Sequence, residues 1–112
     1  MTKRLSLRTA REFSRVYRSG RRARVDGVTV WAAPALGPAP TRLGLAVPAG
    51  TGRAVTRNRL RRRLREIVRA YAPGDGLDVV IRADREAAGR NFQELDEVVV
   101  AALEQVGVRT TP

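Results

Sequence analysis

Between Ala54 and Tyr71, apolar side chains recur at Leu60, Leu64, Ile67, Val68 and Tyr71, the i, i+4, i+7, i+8, i+11 spacing of one helix face. Around that stripe stand Arg57, Arg59, Arg61, Arg62, Arg63, Arg65 and Arg69, seven arginines in thirteen residues, against a single Glu66. A helix so divided must lay its stripe on other apolar surface and hold its guanidiniums outside, on a rigid support. A chain of 112 residues has room for one core of that kind and not for two domains. The arginine pairs 57/61, 61/65 and 65/69 stand at i,i+4 and repel one another, so the helix is weakened unless an anion compensates. Phosphates are the natural anion: contacts to them supply affinity and orientation without reading sequence. A merely solvated charged face is the alternative.

The remaining segments read as partners for that stripe. Thr9 and Glu12 have the spacing of a capping box, and Phe13, Val16 and Tyr17 share a face, which predicts a helix over 9–18 stopped at Gly20. Val28, Thr29, Val30 and Trp31 suit a strand. Three prolines and a glycine make 34–40 a loop. Leu43, Leu45 and Val47 alternate in a second strand ended by Pro48, with a glycine-containing loop over 49–53. Pro73-Gly74-Asp75-Gly76 ends the arginine helix, and Leu77–Ala83, apolar on both faces at Val79-Val80-Ile81, reads as an interior strand. Asn91 and Glu94 cap a last helix in which Phe92, Leu95, Val99, Ala102 and Val106 face inward and Gly107 stops the turn. The expected fold is α+β, a single two-layer domain with about four strands in a mixed sheet and three helices, in the order α-β-β-β-α-β-α. Residues 1–6 and 108–112 are read as flexible ends.

Charge narrows the function. Lys and Arg number 22 and Asp and Glu 11, a formal net charge of +11. Residues 1–70 hold 18 basic and 3 acidic side chains, and residues 71–112 hold 4 basic and 8 acidic. One face is therefore built for phosphates and another is only solvated. Abundant Ala, Gly, Pro and Val show that part of the arginine bias reflects a GC-rich coding sequence. Cysteine and histidine are both missing, which excludes disulfides, Cys/His zinc sites, thiol or imidazole catalysis and a Ser-His-Asp triad. The longest apolar run, Val98–Leu103, is six residues against the roughly 20 that span a bilayer. No secretory signal is visible. The expectation is a cytoplasmic basic domain, off the membrane, whose partner is a polyanion. Asp75, Asp78 and Asp84 are conceivable metal ligands, but such residues more often serve a turn and the two ends of a strand.

Two stretches carry a resemblance. Arg42-Leu43-Gly44-Leu45-Ala46-Val47, followed by Gly52-Arg53-Ala54-Val55-Thr56-Arg57-Asn58-Arg59-Leu60-Arg61-Arg62-Arg63-Leu64-Arg65, resembles the signature of the bacterial ribonuclease P protein subunit. Leu7, Phe13, Val16, Tyr17 and Gly20 match that family's first helix in spacing, so the resemblance covers about residues 5–83. It departs at Pro48-Ala49-Gly50, where the family usually has Ser-Lys-Lys, and Arg53 is the candidate to take over part of that role.

The resemblance implies a protein that assists a catalytic RNA in cutting the 5′ leader from precursor tRNA, with Mg²⁺ held mainly by the RNA and no organic cofactor. It assigns Arg53, Arg57, Asn58, Arg59, Arg61, Arg62 and Arg65 to the RNA subunit. Phe13, Tyr17 and Trp31, flanked by Arg15 and Arg18, would line a cleft for the leader, and aromatic stacking suits unpaired bases. Phe13 and Tyr17 packing in the core is the alternative. The resemblance also implies a left-handed connection through the arginine helix, where the general rule is right-handed. No catalytic residue, bound metal or protein partner is expected of the chain itself. A basic ribosomal protein would share the charge but not the Arg57-Asn58-Arg59 run with its flanking Gly52-Arg53-Ala54-Val55. A transit-sequence reading of 1–24 conflicts with the spacing of Leu7, Phe13, Tyr17 and Gly20. A membrane-surface helix conflicts with the core's need for the stripe at 60–71.

Overall fold

The computed structural model describes residues 6–110. Helix α1 (Ala10–Ser19) leads into strands β1 (Arg21–Val25), β2 (Val28–Pro34) and β3 (Arg42–Ala46). Helix α2 (Ala54–Tyr71), strand β4 (Leu77–Ala83), the one-turn α3 (Arg85–Ala88) and helix α4 (Phe92–Gln105) follow. The sheet order is β1-β2-β4-β3, with β3 parallel to β4 and the other pairs antiparallel. The expected α+β fold and element order are present, with α3 added.

Alternation along the strands decides what covers the sheet. Val28, Val30 and Ala32 of β2 and Val79, Ile81 and Ala83 of β4 share one face. They form the main core with Leu60, Leu64, Ile67 and Val68 of α2 and with Leu95, Val99, Ala102 and Leu103 of α4. The intervening residues Ala33 and Val80 turn to the other face, where they meet Leu7, Val16, Phe13 and Trp31. Helix α1 therefore lies opposite α2 and α4. The two-layer expectation is corrected to three layers, because β4 is apolar on both faces and each face needs its own cover.

Other corrections concern ends. Ser6 bridges to Leu43, and the Leu7 amide donates to the Leu43 carbonyl at 3.0 Å. Val108 is buried, and its carbonyl accepts from the Tyr71 hydroxyl at 2.5 Å. Thr110 bridges to Pro73. Residues 6 and 108–110 are thus fastened to the body, while 1–5 and 111–112 lie outside the described residues. Phe92, expected inward, is 41% exposed, because it is the first residue of α4 and precedes the turn that meets the core. Both expected capping boxes form, Thr9 with Glu12 and Asn91 with Glu94.

Glycine acts twice through its missing side chain. A Cβ on Gly20 would stand 2.6 Å from the Val16 carbonyl oxygen and 3.2 Å from that of Ala32, so the end of α1 touches β2 only through glycine. Asp26 and Gly27 join β1 to β2 with φ of 43° and 89°, the two positive angles of a type I′ hairpin. A Cβ on Gly27 would also meet Asp84 Oδ1 at 2.7 Å and the Ala87 amide nitrogen at 2.9 Å. Gly27→Ala should therefore cost at least about 2 kcal/mol, strain and overpacking together. A lower denaturant midpoint at unchanged slope would register the loss.

Candidate nucleic-acid interface

On α2 the apolar stripe is buried as expected, which turns the arginines outward. Arg53, Asn58, Arg59, Arg62 and Arg65 are exposed, and Arg57 and Arg61 are half-buried. The Arg57 Nε donates to the Gly52 carbonyl at 3.2 Å, and an Arg61 amino group donates to Asn58 Oδ1 at 3.0 Å. These bonds hold the side chains without neutralising them. Among the described residues, no ion pair joins an α2 arginine to a carboxylate. The helix thus carries its mutual repulsion uncompensated. Arg61, Arg65 and Arg69 also border a groove of about 500 Å³ beside the edge strand β3, with Leu45 and Val68 in its lining.

The loop before α2 is flanked by two arginines. Residues Ala49–Thr51 form a single 3₁₀ turn, pinned by the Thr51 hydroxyl, which donates to the Ala83 carbonyl at 3.0 Å. Arg53 is exposed just beyond it, and Arg85 reaches the Gly50 carbonyl with its Nε at 3.4 Å. Arg85 lies on α3, an element that sequence periodicity alone does not show.

The second cluster lies on the opposite face of the sheet. Phe13 and Tyr17 have ring centroids 6.4 Å apart, and Tyr17 meets Trp31 edge-on at 4.8 Å. Tyr17 is 40% exposed, so the row reaches solvent there, while Phe13 and Trp31 are partly buried against Leu7, Val16, Ala33 and Val80. Strand pairing aligns Arg22, Trp31, Val80 and Gly44 across the sheet, and Arg24, Thr29, Arg82 and Ala46 beside them. Arg22 and Arg82 are exposed on the face that carries Trp31, and Arg18 is exposed at the end of α1. Burial raises the Tyr17 phenol above its ordinary pKa, and the nearby charge of Arg82 works against that rise. Arg22 and Arg82 belong to the cluster although the sequence does not single them out. Only the pairing register brings them beside Trp31.

Arg15 is placed differently from its expected position at the edge of a leader cleft. It turns inward, donating to Asp78 Oδ2 at 2.5 Å and to the Pro34 carbonyl at 3.2 Å. Asp78 is fully buried and also receives Arg42, through Nε at 3.0 Å and an amino group at 2.8 Å. Arg42 in turn bonds Glu12 at 2.8 Å. Burial alone would raise the Asp78 carboxyl, but the hydrogen bonds and charges of Arg42 and Arg15 outweigh it and hold the group below the usual carboxylate range. Asp84 caps α3 and pairs with Arg24 at 3.0 Å. These carboxylates are engaged by arginines and a backbone amide, and no cluster of three or more Asp, Glu, His or Cys able to hold a metal lies among the described residues. No described helix is long and apolar enough to cross a membrane.

A guanidinium-lined helix on one face of a sheet and a partly exposed aromatic row on the other suit a polyanionic partner. The family model described as Ribonuclease P matches residues 1–107. The chain belongs to the ribonuclease P protein family. It is 36% identical over 106 residues to the ribonuclease P protein component of Gluconacetobacter diazotrophicus, across 92% of this chain and 91% of that protein. It is 34% identical to that of Symbiobacterium thermophilum, across 96% of both. Among solved structures, the RNase P protein of Staphylococcus aureus shares the fold with a TM-score of 0.86 at 21% identity, over 95% of this chain and 98% of that one. The Thermotoga maritima RNase P protein superposes with a TM-score of 0.79 at 25% identity, over 92% and 98%. As a ribonuclease P subunit, the chain has the ribonuclease P RNA as its partner.

The uncompensated arginines make that partnership salt-sensitive, since each neutralised phosphate releases counterion. Replacing Arg57, Arg59 and Arg61 by Ala should flatten the slope of log affinity against log salt for the RNA by up to about 3. Filter-binding titrations across a salt series would measure it.

Proposed function

We propose that this subunit grips the catalytic RNA with the arginine face of α2 and receives the 5′ leader of precursor tRNA on the aromatic row of the opposite face. The observation that carries the leader reading is the Tyr17–Trp31 pair, edge-on at 4.8 Å, with Tyr17 40% exposed and Arg18, Arg22 and Arg82 around it. Exposed rings with guanidiniums at hand suit an extended single strand, whose bases stack while its phosphates are neutralised. A buried pair would have suited only packing. Two faces for two RNAs let one small domain touch both at once.

The chemistry of cleavage belongs to the RNA in this reading, and so does the Mg²⁺ it uses. The chain has no histidine or cysteine to move a proton or attack phosphorus. Its most buried carboxylate, Asp78, is tied to two arginines. The protein's contribution is positioning, which lowers a barrier by holding the scissile bond where the RNA acts. The compartment is the cytoplasm, where precursor tRNA is made and trimmed. Protein purified free of RNA should leave precursor tRNA intact, as a gel assay with and without added ribonuclease P RNA would show.

Tyr17→Ala and Trp31→Ala should each remove one stacking surface, worth about 1–3 kcal/mol. Holoenzymes carrying them should bind leader-bearing precursor tRNA more weakly, by about tenfold for each ~1.4 kcal/mol lost. Mature tRNA and the catalytic RNA should bind as before. Phe13→Ala should also cost stability, because its ring packs over Gly44, where a Cβ would stand 2.7 Å from it. Binding measured with leaders from zero to several nucleotides separates these outcomes, and equal losses for leader-bearing and leaderless tRNA would show the rings to be packing alone.

A further inference from the structure

Helix α1 has little to hold it by apolar contact. It is ten residues long, a length that is marginal in isolation, and Val16 is its one fully buried side chain. Phe13 adds partly buried packing over Gly44, and two polar residues on the inner side complete the attachment. Arg15 reaches Asp78 on β4, and Glu12 reaches Arg42 on β3, which itself holds both Asp78 oxygens. Taking a partner from a buried carboxylate is costly, which favours this arrangement of α1 over its neighbours.

The same geometry determines where the aromatic row lies. On α1, Arg15 and Tyr17 flank the buried Val16 on its two sides, Arg15 reaching Asp78 and Tyr17 meeting Trp31, which stands across from Val80 on β4. The row of Ala33, Asp78 and Arg42 is thus the neighbour of the row of Trp31, Val80 and Gly44. Phe13, one turn before Tyr17 on the same helix face, sits over Gly44 on that row. A slip or tilt of α1 at Asp78 would separate Tyr17 from Trp31.

We propose that Asp78, acting through Arg15 and Arg42, is a positioning residue that sets α1 at the place on the sheet where Tyr17 meets Trp31 and so shapes the leader site. The proposal rests on the leader reading above. It places Asp78 in no contact with RNA, and α2 lies on the far face of the sheet.

The test uses reconstituted holoenzymes carrying Asp78→Asn, Arg42→Met, Arg42→Lys or Tyr17→Ala, with thermal melts to confirm folding. Trp31 is the only tryptophan, and its emission reports whether Tyr17 still covers it. Asp78→Asn and Arg42→Met should bind ribonuclease P RNA as the wild type does. They should lose about fivefold or more of the affinity gained from a leader, the equivalent of one stacking contact at ~1 kcal/mol. Trp31 emission should shift to the red in both, and Arg42→Lys, which keeps the charge but not the two-point contact with Asp78, should recover only part of the gain and the emission. If Asp78→Asn does not fold, the two Arg42 variants decide. Folded variants with wild-type leader gain and emission would overturn the proposal, as would parallel losses of leader and ribonuclease P RNA binding. If Tyr17→Ala keeps the leader gain, the leader reading fails instead, and Trp31 emission alone then decides whether Asp78 positions the helix.

Discussion

Strand β4 is buried on both sides, and the rest of the molecule is arranged to satisfy it. Val79 and Ile81 face α2 and α4, while Val80 faces α1, so one strand requires two separate covers. The larger cover needs a long amphipathic helix, which α2 supplies. The smaller needs only a short helix, and α1 supplies that with Val16, Phe13 and a polar clamp. Because β4 stands between β2 and β3, it also joins the residues that orient α1 on both flanks. Asp78, at the start of this strand, is where the apolar logic gives way to an ionic one.

Arginine serves two incompatible purposes here, separated by geometry. Arg15, Arg24 and Arg42 face carboxylates and are part of the fold. The arginines of α2 face none among the described residues. Ion pairs inside the body make specific contacts with fixed directions, whereas a row of unpaired guanidiniums is a field, strong at short range and screened by salt. The folded domain keeps most of that field on one face and its aromatic row on the other, and the two meet at the groove beside β3, which Phe13, Arg61, Arg65 and Arg69 line.

The helices were readable because their signals are local. A 3.6-residue period placed α2, and the spacings of Thr9 with Glu12 and Asn91 with Glu94 placed the starts of α1 and α4. The hairpin left a trace as well, Asp26-Gly27 between two valines, although the arginine-rich β1 shows no apolar alternation to go with it. The aromatic row was half readable. Phe13 and Tyr17 are one turn apart on a helix, but their meeting with Trp31 depends on which face of β2 turns toward α1. Arg15 looked like a surface cation because its partner Asp78 is 63 residues away. Nothing in the neighbourhood of either residue announces the pair.

The sequence by itself determined α1, α2, α4 and strands β2, β3 and β4, their order, the burial of the α2 stripe and the outward row of arginines, since each follows from a local pattern within one segment. Its signature stretches also determined the family. Tertiary structure decided the sidedness of the sheet, the addition of Arg22 and Arg82 to the aromatic row, and the withdrawal of Arg15 into the body. The physical reason is register. In a strand, a shift of one residue exchanges the two faces, and pairing between distant strands is fixed only when both faces are packed at once.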